Sequence, residues 1–231
     1  GITTQELNEL AEAAVKEFGV KPAFKGYQGF PASICISLND QVVHGIPGPR
    51  KLKKGDIVGL DFGVIYKGYY GDAAVTVGVG EISPKHRRLM TVTQEALWQG
   101  ISKAKAGNRL SEISRAVQSY VEKNGFSVVR DFVGHGIGQA MHEEPQVPNY
   151  VSPLYRWDPM LKPGMTLAIE PMVNAGTYQV QVDPQDHWTV TTVDGSYSAH
   201  FEHTVLVTEG DPEVLTQVKD DQGEDGGMVQ W

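Results

Sequence analysis

The chain carries its own pattern twice. "LKKGDIVGLD" (52–61) returns as "LKPGMTLAIE" (161–170); each is an apolar, strand-like stretch after Leu-Lys-x-Gly that ends on an acid, Asp61 or Glu170. "GITTQELNELAEAAVKEFG" (1–19) aligns without a gap to "GNRLSEISRAVQSYVEKNG" (107–125), and "GDAAVTVGVG" (71–80) matches "FEHTVLVTEG" (201–210), with Asp72 opposite Glu202. One such match carries little weight, because helices and strands resemble each other generically. Three in the same order mark an internal duplication. The expected organisation is one domain over 1–217, built of pseudo-repeats at about 1–82 and 83–217, with an acidic, glycine-rich flexible tail over 218–231.

Within this frame the elements follow from local chemistry. Thr3 and Glu6 predict a capping box, Leu7, Leu10, Ala14 and Phe18 share a helical face, and Gly19 closes the first helix. A second helix is expected within 83–106, with Ser83 as N-cap and Pro84 at N1. It precedes the repeat of the first helix, and nothing precedes Gly1, so internal symmetry leads us to expect the first half to be one helix short. "DIVGLDFGVIY" and "YYGDAAVTVGVG" flank Lys67-Gly68, and "HWTVTTV" and "SYSAHFEHTVLV" flank Asp194-Gly195; both read as β-hairpins. Strand pairs with helices in separate runs predict an α+β fold, pseudo-two-fold, with a mainly antiparallel curved sheet and helices outside.

Hairpin parity places the acids. With Lys67 and Gly68 as the loop, Tyr66 opposes Tyr69 and Asp61 opposes Ala74, so Asp72 becomes the diagonal neighbour of Asp61 on one face. Acids in strands usually mark a solvated edge, but these stand among Val, Ile, Leu and Ala. Like charges in an apolar setting repel unless a cation or proton joins them. The duplication supplies a second pair, Glu170 and Glu202. Four converging carboxylates call for two divalent ions, typically ~3.5–4 Å apart.

"GHGIGQAMHEEPQVPN" adds His135 and His142. A lone histidine is most often structural; one held among glycines beside four paired acids reads as a ligand. Other motifs fail: Gln146 stands where a helical zinc-protease motif needs histidine, Gln139 breaks G-x-G-x-x-G, and no G-x-S-x-G elbow occurs. The net charge of −8, without a basic run, argues against a nucleic-acid footprint. The single cysteine excludes an intramolecular disulfide framework and fits a reducing compartment. No apolar window is long enough for a membrane span, and a cytoplasmic protein is expected.

Taken together, "GYQGFPASICISLNDQVVHGIPG", "DFGVIYKGYYGDAA", "GHGIGQAMHEEPQVPN", "KPGMTLAIEPMVNAG" and "WTVTTVDGSYSAHFEHTVLVTEG" resemble the type I methionine aminopeptidases of peptidase family M24, with the pita-bread fold shared by prolidases and creatinases. The D…D…H…E…E order belongs to the whole group; "HGIP" and "HEEPQVPN" narrow it. The interval from Glu170 to Glu202 has no room for the helical insertion of type II enzymes. The resemblance implies that Asp61, Asp72, His135, Glu170 and Glu202 ligate two divalent ions (Co, Mn, Fe or Zn), with Asp72 and Glu202 bridging. It implies attack by a metal-activated hydroxide, proton transfer by Glu170, oxyanion stabilisation by His142, and assistance to the leaving group from His44. Tyr27, Phe30, Cys35 and Trp188 match the methionine pocket, and Met141 stands where many relatives carry an aromatic. The implied substrates are nascent polypeptide N-termini whose second residue is small, met at the ribosome. A monomer is expected unless a partner chain replaces the missing helix. An X-Pro aminopeptidase or prolidase, or a truncated non-catalytic binding module, is the alternative. The loop 150–161 is longer than in the common pattern, which would reshape the rim of the cleft.

Overall fold

A computed structural model describes residues 1–152 and 157–218; the expected tail from 219 onward and the middle of the 150–161 loop lie outside the described residues. Helix α1 (Thr4–Glu17) leads to β1 (Lys21–Pro22), a 3-10 turn (Tyr27–Gly29), β2 (Cys35–Leu38), β3 (Gln41–Val43) and the long hairpin of β4 (Ile57–Tyr66) and β5 (Tyr69–Gly78). Helices α2 (Pro84–Ile101) and α3 (Leu110–Lys123) follow. The chain then forms β6 (Ser127–Val128), β7 (Gly134–Gly136), β8 (Glu143–Val147), β9 (Thr166–Ile169) and β10 (Met172–Asn174). It ends with β11 (Val180–Val182), β12 (Val190–Thr192), β13 (Ser198–His200), β14 (Glu202–Leu206) and β15 (Glu213–Val214).

The main sheet runs β1-β4-β5-β14-β9-β7-β8, with β2 added to β4 and β15 to β14, and its ladders are antiparallel. Lys67 and Gly68 take left-handed conformations in a two-residue loop, and the ladder pairs Tyr66 with Tyr69 and Asp61 with Ala74, as the parity count requires. Within the main sheet the two halves of the chain meet where β5 pairs with β14, through Ala73 with His203 and Ala74 with Glu202. Threonine hydroxyls extend this short junction at both ends. Thr204 Oγ1 accepts from the Asp72 amide (3.0 Å) and donates to its carbonyl (2.8 Å). Thr76 Oγ1 does the same for His200, at 2.9 and 2.8 Å.

Helices α2 and α3 bury Leu97, Ile113 and Val117 against Ile169 and Val205 of the sheet in the largest apolar cluster. Truncating one such side chain to alanine costs about 2–5 kcal/mol. Ser83 caps α2 and the Thr3–Glu6 box caps α1, both as expected.

Two local expectations are corrected. The stripe Leu7, Leu10, Ala14 and Phe18 is not the buried face of α1, since Leu10 and Phe18 are 59% and 76% exposed. Instead α1 turns Leu7, Ala11 and Val15 inward, and Asn8 Oδ1 accepts from the Ser33 amide and Glu12 from the Ser33 hydroxyl, both at 3.0 Å. Residues 190–192 and 198–206 do not form a hairpin either: β12 pairs with β11 and β3, whereas β13 pairs with β10. Asp194 accepts from the amides of Thr177 and Ser196, which bends the chain out of one sheet and into another.

Candidate metal centre

Asp61 on β4 and Glu202 on β14 pair with the same residue of β5, Ala74, from opposite sides. Cys35 on β2 pairs in turn with Asp61. Directly paired residues share a face, so one row, Cys35–Asp61–Ala74–Glu202, crosses four strands. In β9, Ile169 pairs with His203, and the same register carried one residue further sets Glu170 beside Glu202. Asp72, two residues from Ala74, completes the acidic face.

His135 reaches it from β7, paired with Ala168. Its neighbours must be small, because a Cβ on Gly134 would lie 2.3 Å from the Ala168 carbonyl oxygen, and one on Gly136 would lie 2.4 Å from that of Glu144. His135 Nδ1 is 2.8 Å from the Gly136 carbonyl. A carbonyl only accepts, so the ring proton sits on Nδ1 and the lone pair on Nε2 is free for a cation. That Nε2 is 3.6 Å from Glu170 Oε1.

All the candidate residues named from the sequence line one cavity of about 160 Å³. The acids and His135 form one wall. Phe30, Cys35 and Met141 are buried in an apolar cluster with Tyr27 and Trp188 packed against it, and Phe30 meets Trp188 edge-on at 5.1 Å. His44, held at a left-handed φ of 59°, lies edge-on to Phe132 and Trp188. His142 stands 4.3 Å from His135, ring to ring, with Nδ1 2.7 Å from the Tyr27 hydroxyl. Three further residues belong to the site. Phe24 and Gln28 line the cavity, and His200 is buried with its Nε2 3.7 Å from Glu170 Oε2 and without a hydrogen-bond partner. His200 was legible as the residue two before Glu202, the spacing that shares a strand face; Phe24 carried no comparable signal.

The electrostatics are unbalanced by protein groups alone. Burial, reinforced by mutual repulsion, pushes the carboxyls of Asp61, Glu170 and Glu202 well above the usual carboxylate range, and burial pushes Asp72 up to about 7. Burial also lowers His44 and His135 to about 4 and His200 to about 3, so these rings are neutral at pH 7. Asp61 Oδ1, Asp72 Oδ1 and Glu202 Oε1 are buried without a hydrogen-bond partner. Orphaned carboxylate oxygens facing a free imidazole lone pair are the complement of a divalent cation. Ligand atoms of Asp72, His135 and Glu202 lie within 4.8 Å of one another, as do those of Glu170, His200 and Glu202. Glu202 is common to both groups, whereas Asp61 falls in neither and adds its charge from the adjoining position. Mixed carboxylate and imidazole donors suit Mn, Fe, Co or Zn.

Residues 1–209 match the family model described as metallopeptidase family M24. The chain is 54% identical over 218 residues to methionine aminopeptidase 1 of Bacillus subtilis, covering 94% of this chain and 87% of that protein. Among solved structures, the methionine aminopeptidase of Thermotoga maritima superposes with a TM-score of 0.90 at 49% identity, covering 94% of this chain and 86% of that one. The Xaa-Pro dipeptidase of Bacillus anthracis shares the fold more distantly, with a TM-score of 0.72 at 26% identity over 94% of this chain and 54% of that one. The pita-bread architecture, the acidic row and these likenesses converge: the chain belongs to metallopeptidase family M24 and, within it, to the methionine aminopeptidases.

Proposed function

We propose that this chain removes the N-terminal methionine from polypeptides whose second residue is small. The observation that supports it most directly is the join between two unlike surfaces, a wall of four carboxylates (Asp72 and Glu202 buried, Asp61 and Glu170 half-buried) with His135 and an aromatic, sulfur-containing pocket, within one cavity.

Asp61, Asp72, His135, Glu170 and Glu202 would hold two divalent cations. Bound there, such ions supply Lewis acidity to the peptide carbonyl and lower the pKa of water. The remaining tasks fall to the chain itself. Glu170, flanked by two imidazoles, accepts the proton of the attacking water and passes it to the leaving amide nitrogen. His142 donates a hydrogen bond to the carbonyl oxygen as charge develops on it. His44, fixed by its backbone and two aromatic neighbours, faces the leaving-group side. Phe30, Trp188, Tyr27, Met141 and Cys35 enclose the methionine side chain, whose thioether packs well on aromatic edges. A free α-amine offers its lone pair to a cation held by the acids, and an internal residue has no such amine.

Among the described residues, no helix is long and apolar enough to cross a membrane. On this reading the substrates are nascent chains in the cytoplasm, met at the ribosome by a monomer.

The test is to add Co(II), Mn(II) or Fe(II) to metal-free protein and offer Met-Ala-Ser beside Leu-Ala-Ser and an X-Pro peptide. Metal-dependent release of methionine alone is expected. Cleavage of the X-Pro peptide in its place would assign the prolidase activity, and stoichiometric metal binding without turnover would assign a binding module.

A further inference from the structure

Tyr27 touches the cavity with its ring, but its hydroxyl is engaged elsewhere, 2.7 Å from Nδ1 of His142. The two rings are 5.4 Å apart and tilted by 40°. The turn that carries Tyr27 is closed on itself: its amide bonds to the Phe24 carbonyl, its carbonyl accepts from Phe30, and the Gly26 amide bonds to the Phe30 carbonyl, at 2.8–2.9 Å. Gln28 within the turn is held at a left-handed φ of 49°, a conformation that a bulky side chain adopts only when its surroundings impose it. The hydroxyl is therefore presented from a fixed platform.

A neutral imidazole carries one N–H, and the hydrogen bond made by one nitrogen decides which of the two holds the proton. A phenol donates readily to an sp² nitrogen. If Tyr27 donates to Nδ1, the His142 proton must sit on Nε2, the nitrogen left to face the cavity. The other tautomer, with Nδ1–H pointing at the phenol oxygen, would turn a lone pair towards the substrate carbonyl and repel the charge that forms there.

We propose that Tyr27 is a positioning residue that locks His142 in its Nε2–H tautomer, so that His142 meets the substrate's carbonyl oxygen as a hydrogen-bond donor; this rests on the role given to His142 above. No proton is gained or lost overall. The hydroxyl proton is shared with Nδ1, and the ring proton stays on Nε2 until the oxyanion forms beside it.

The test uses full-length ¹⁵N-labelled protein, metal-free and zinc-loaded, with long-range ¹H–¹⁵N correlation spectra of the histidine rings, for wild type and Tyr27→Phe. Wild type is expected to show His142 as the Nε2–H tautomer and Tyr27→Phe a mixture. In turnover of Met-Ala-Ser, kcat of the variant is expected to fall by about tenfold to a hundredfold with KM little changed, as for an interaction made only in the transition state. An Nδ1–H tautomer in wild type overturns the proposal. So does an unchanged tautomer in Tyr27→Phe, whether or not kcat falls, because the hydroxyl would then act in another way. Should Tyr27→Phe fail to fold, the wild-type spectrum decides alone. Should wild type release no methionine with any metal, the proposed activity falls while the spectra still decide the tautomer.

Discussion

Asp61 and Glu202 reach the same point from opposite sides of β5, and the residue paired with both is an alanine. Ala74 is buried, 7% exposed, and its methyl group lies between two carboxylates that need room for a cation. Ala74→Val keeps a strand-forming residue but adds two methyl groups at that point. Metal affinity is expected to fall by about tenfold or more, with the circular dichroism spectrum unchanged. Calorimetric titration with Mn(II) checks this, and unchanged affinity would show that Ala74 does not border the ions.

Asp61→Asn separates metal binding from stability. The folded-state pKa of Asp61 is raised by burial and by Asp72, above an unfolded value of about 3.9. A group shifted this way contributes stability that is complete below its unfolded pKa and is lost as pH rises through its folded pKa. Metal-free wild type should therefore lose ground to metal-free Asp61→Asn as pH climbs from about 4, and most clearly past the Asp72 value of about 7. The depressed histidines act in the opposite sense but are common to both proteins. Melting temperatures at acidic and alkaline pH test the trend, and a variant that falls progressively behind wild type would contradict it. With Mn(II) added the order should reverse.

His200 approaches Oε2 of Glu170 where His135 approaches Oε1, and its Nε2 is buried and without a hydrogen-bond partner. His200→Ala is expected to weaken metal binding by about tenfold to a hundredfold, the usual cost of losing support around a ligand. His200→Gln, which keeps a nitrogen near the same place, should recover part of the loss. Competition with a chelator gives both numbers, and equal affinity in all three proteins would remove His200 from the site.

Trp188 closes the pocket against the ring of Phe30. Trp188→Ala should raise KM for Met-Ala-Ser by about tenfold and narrow the preference over Leu-Ala-Ser, while kcat stays within about threefold. A fall in kcat alone would place Trp188 in the chemistry rather than in recognition.

The acidic face was legible because strand parity is arithmetic. Once Lys67-Gly68 is taken as a two-residue loop, the pairing of Asp61 with Ala74 and the place of Asp72 follow without any knowledge of the tertiary fold. Glu170 and Glu202 followed from the duplication. Parity could not say that β12 and β13 part company after Asp194, because that depends on Thr177, a distant residue whose amide Asp194 captures. Nor did Leu10 and Phe18 mark the inner face of α1, which turns Leu7, Ala11 and Val15 inward and bonds Asn8 and Glu12 to the distant Ser33. Phe24 was hidden for a related reason: its ring fits beside β4 only because Gly63 has no side chain, where a Cβ would come within 2.6 Å. Such complementarity between distant residues leaves no periodic trace.

The junction between the halves has a consequence for assembly. Among the described residues, the ladder between β5 and β14 has two residue pairs, with Thr204 bonded to Asp72 at one end and Thr76 reaching His200 of β13 at the other, and the acids gather around that narrow seam. Asp61 and Asp72 come from one side, Glu170 and Glu202 from the other. Neither half alone holds the complete set, so a cation held there would tie the two halves together. A cation seated there would act as a clasp across this two-pair ladder. Its removal should be felt first as faster amide exchange in the middle strands, well before the helical core around Leu97 and Val117 begins to open.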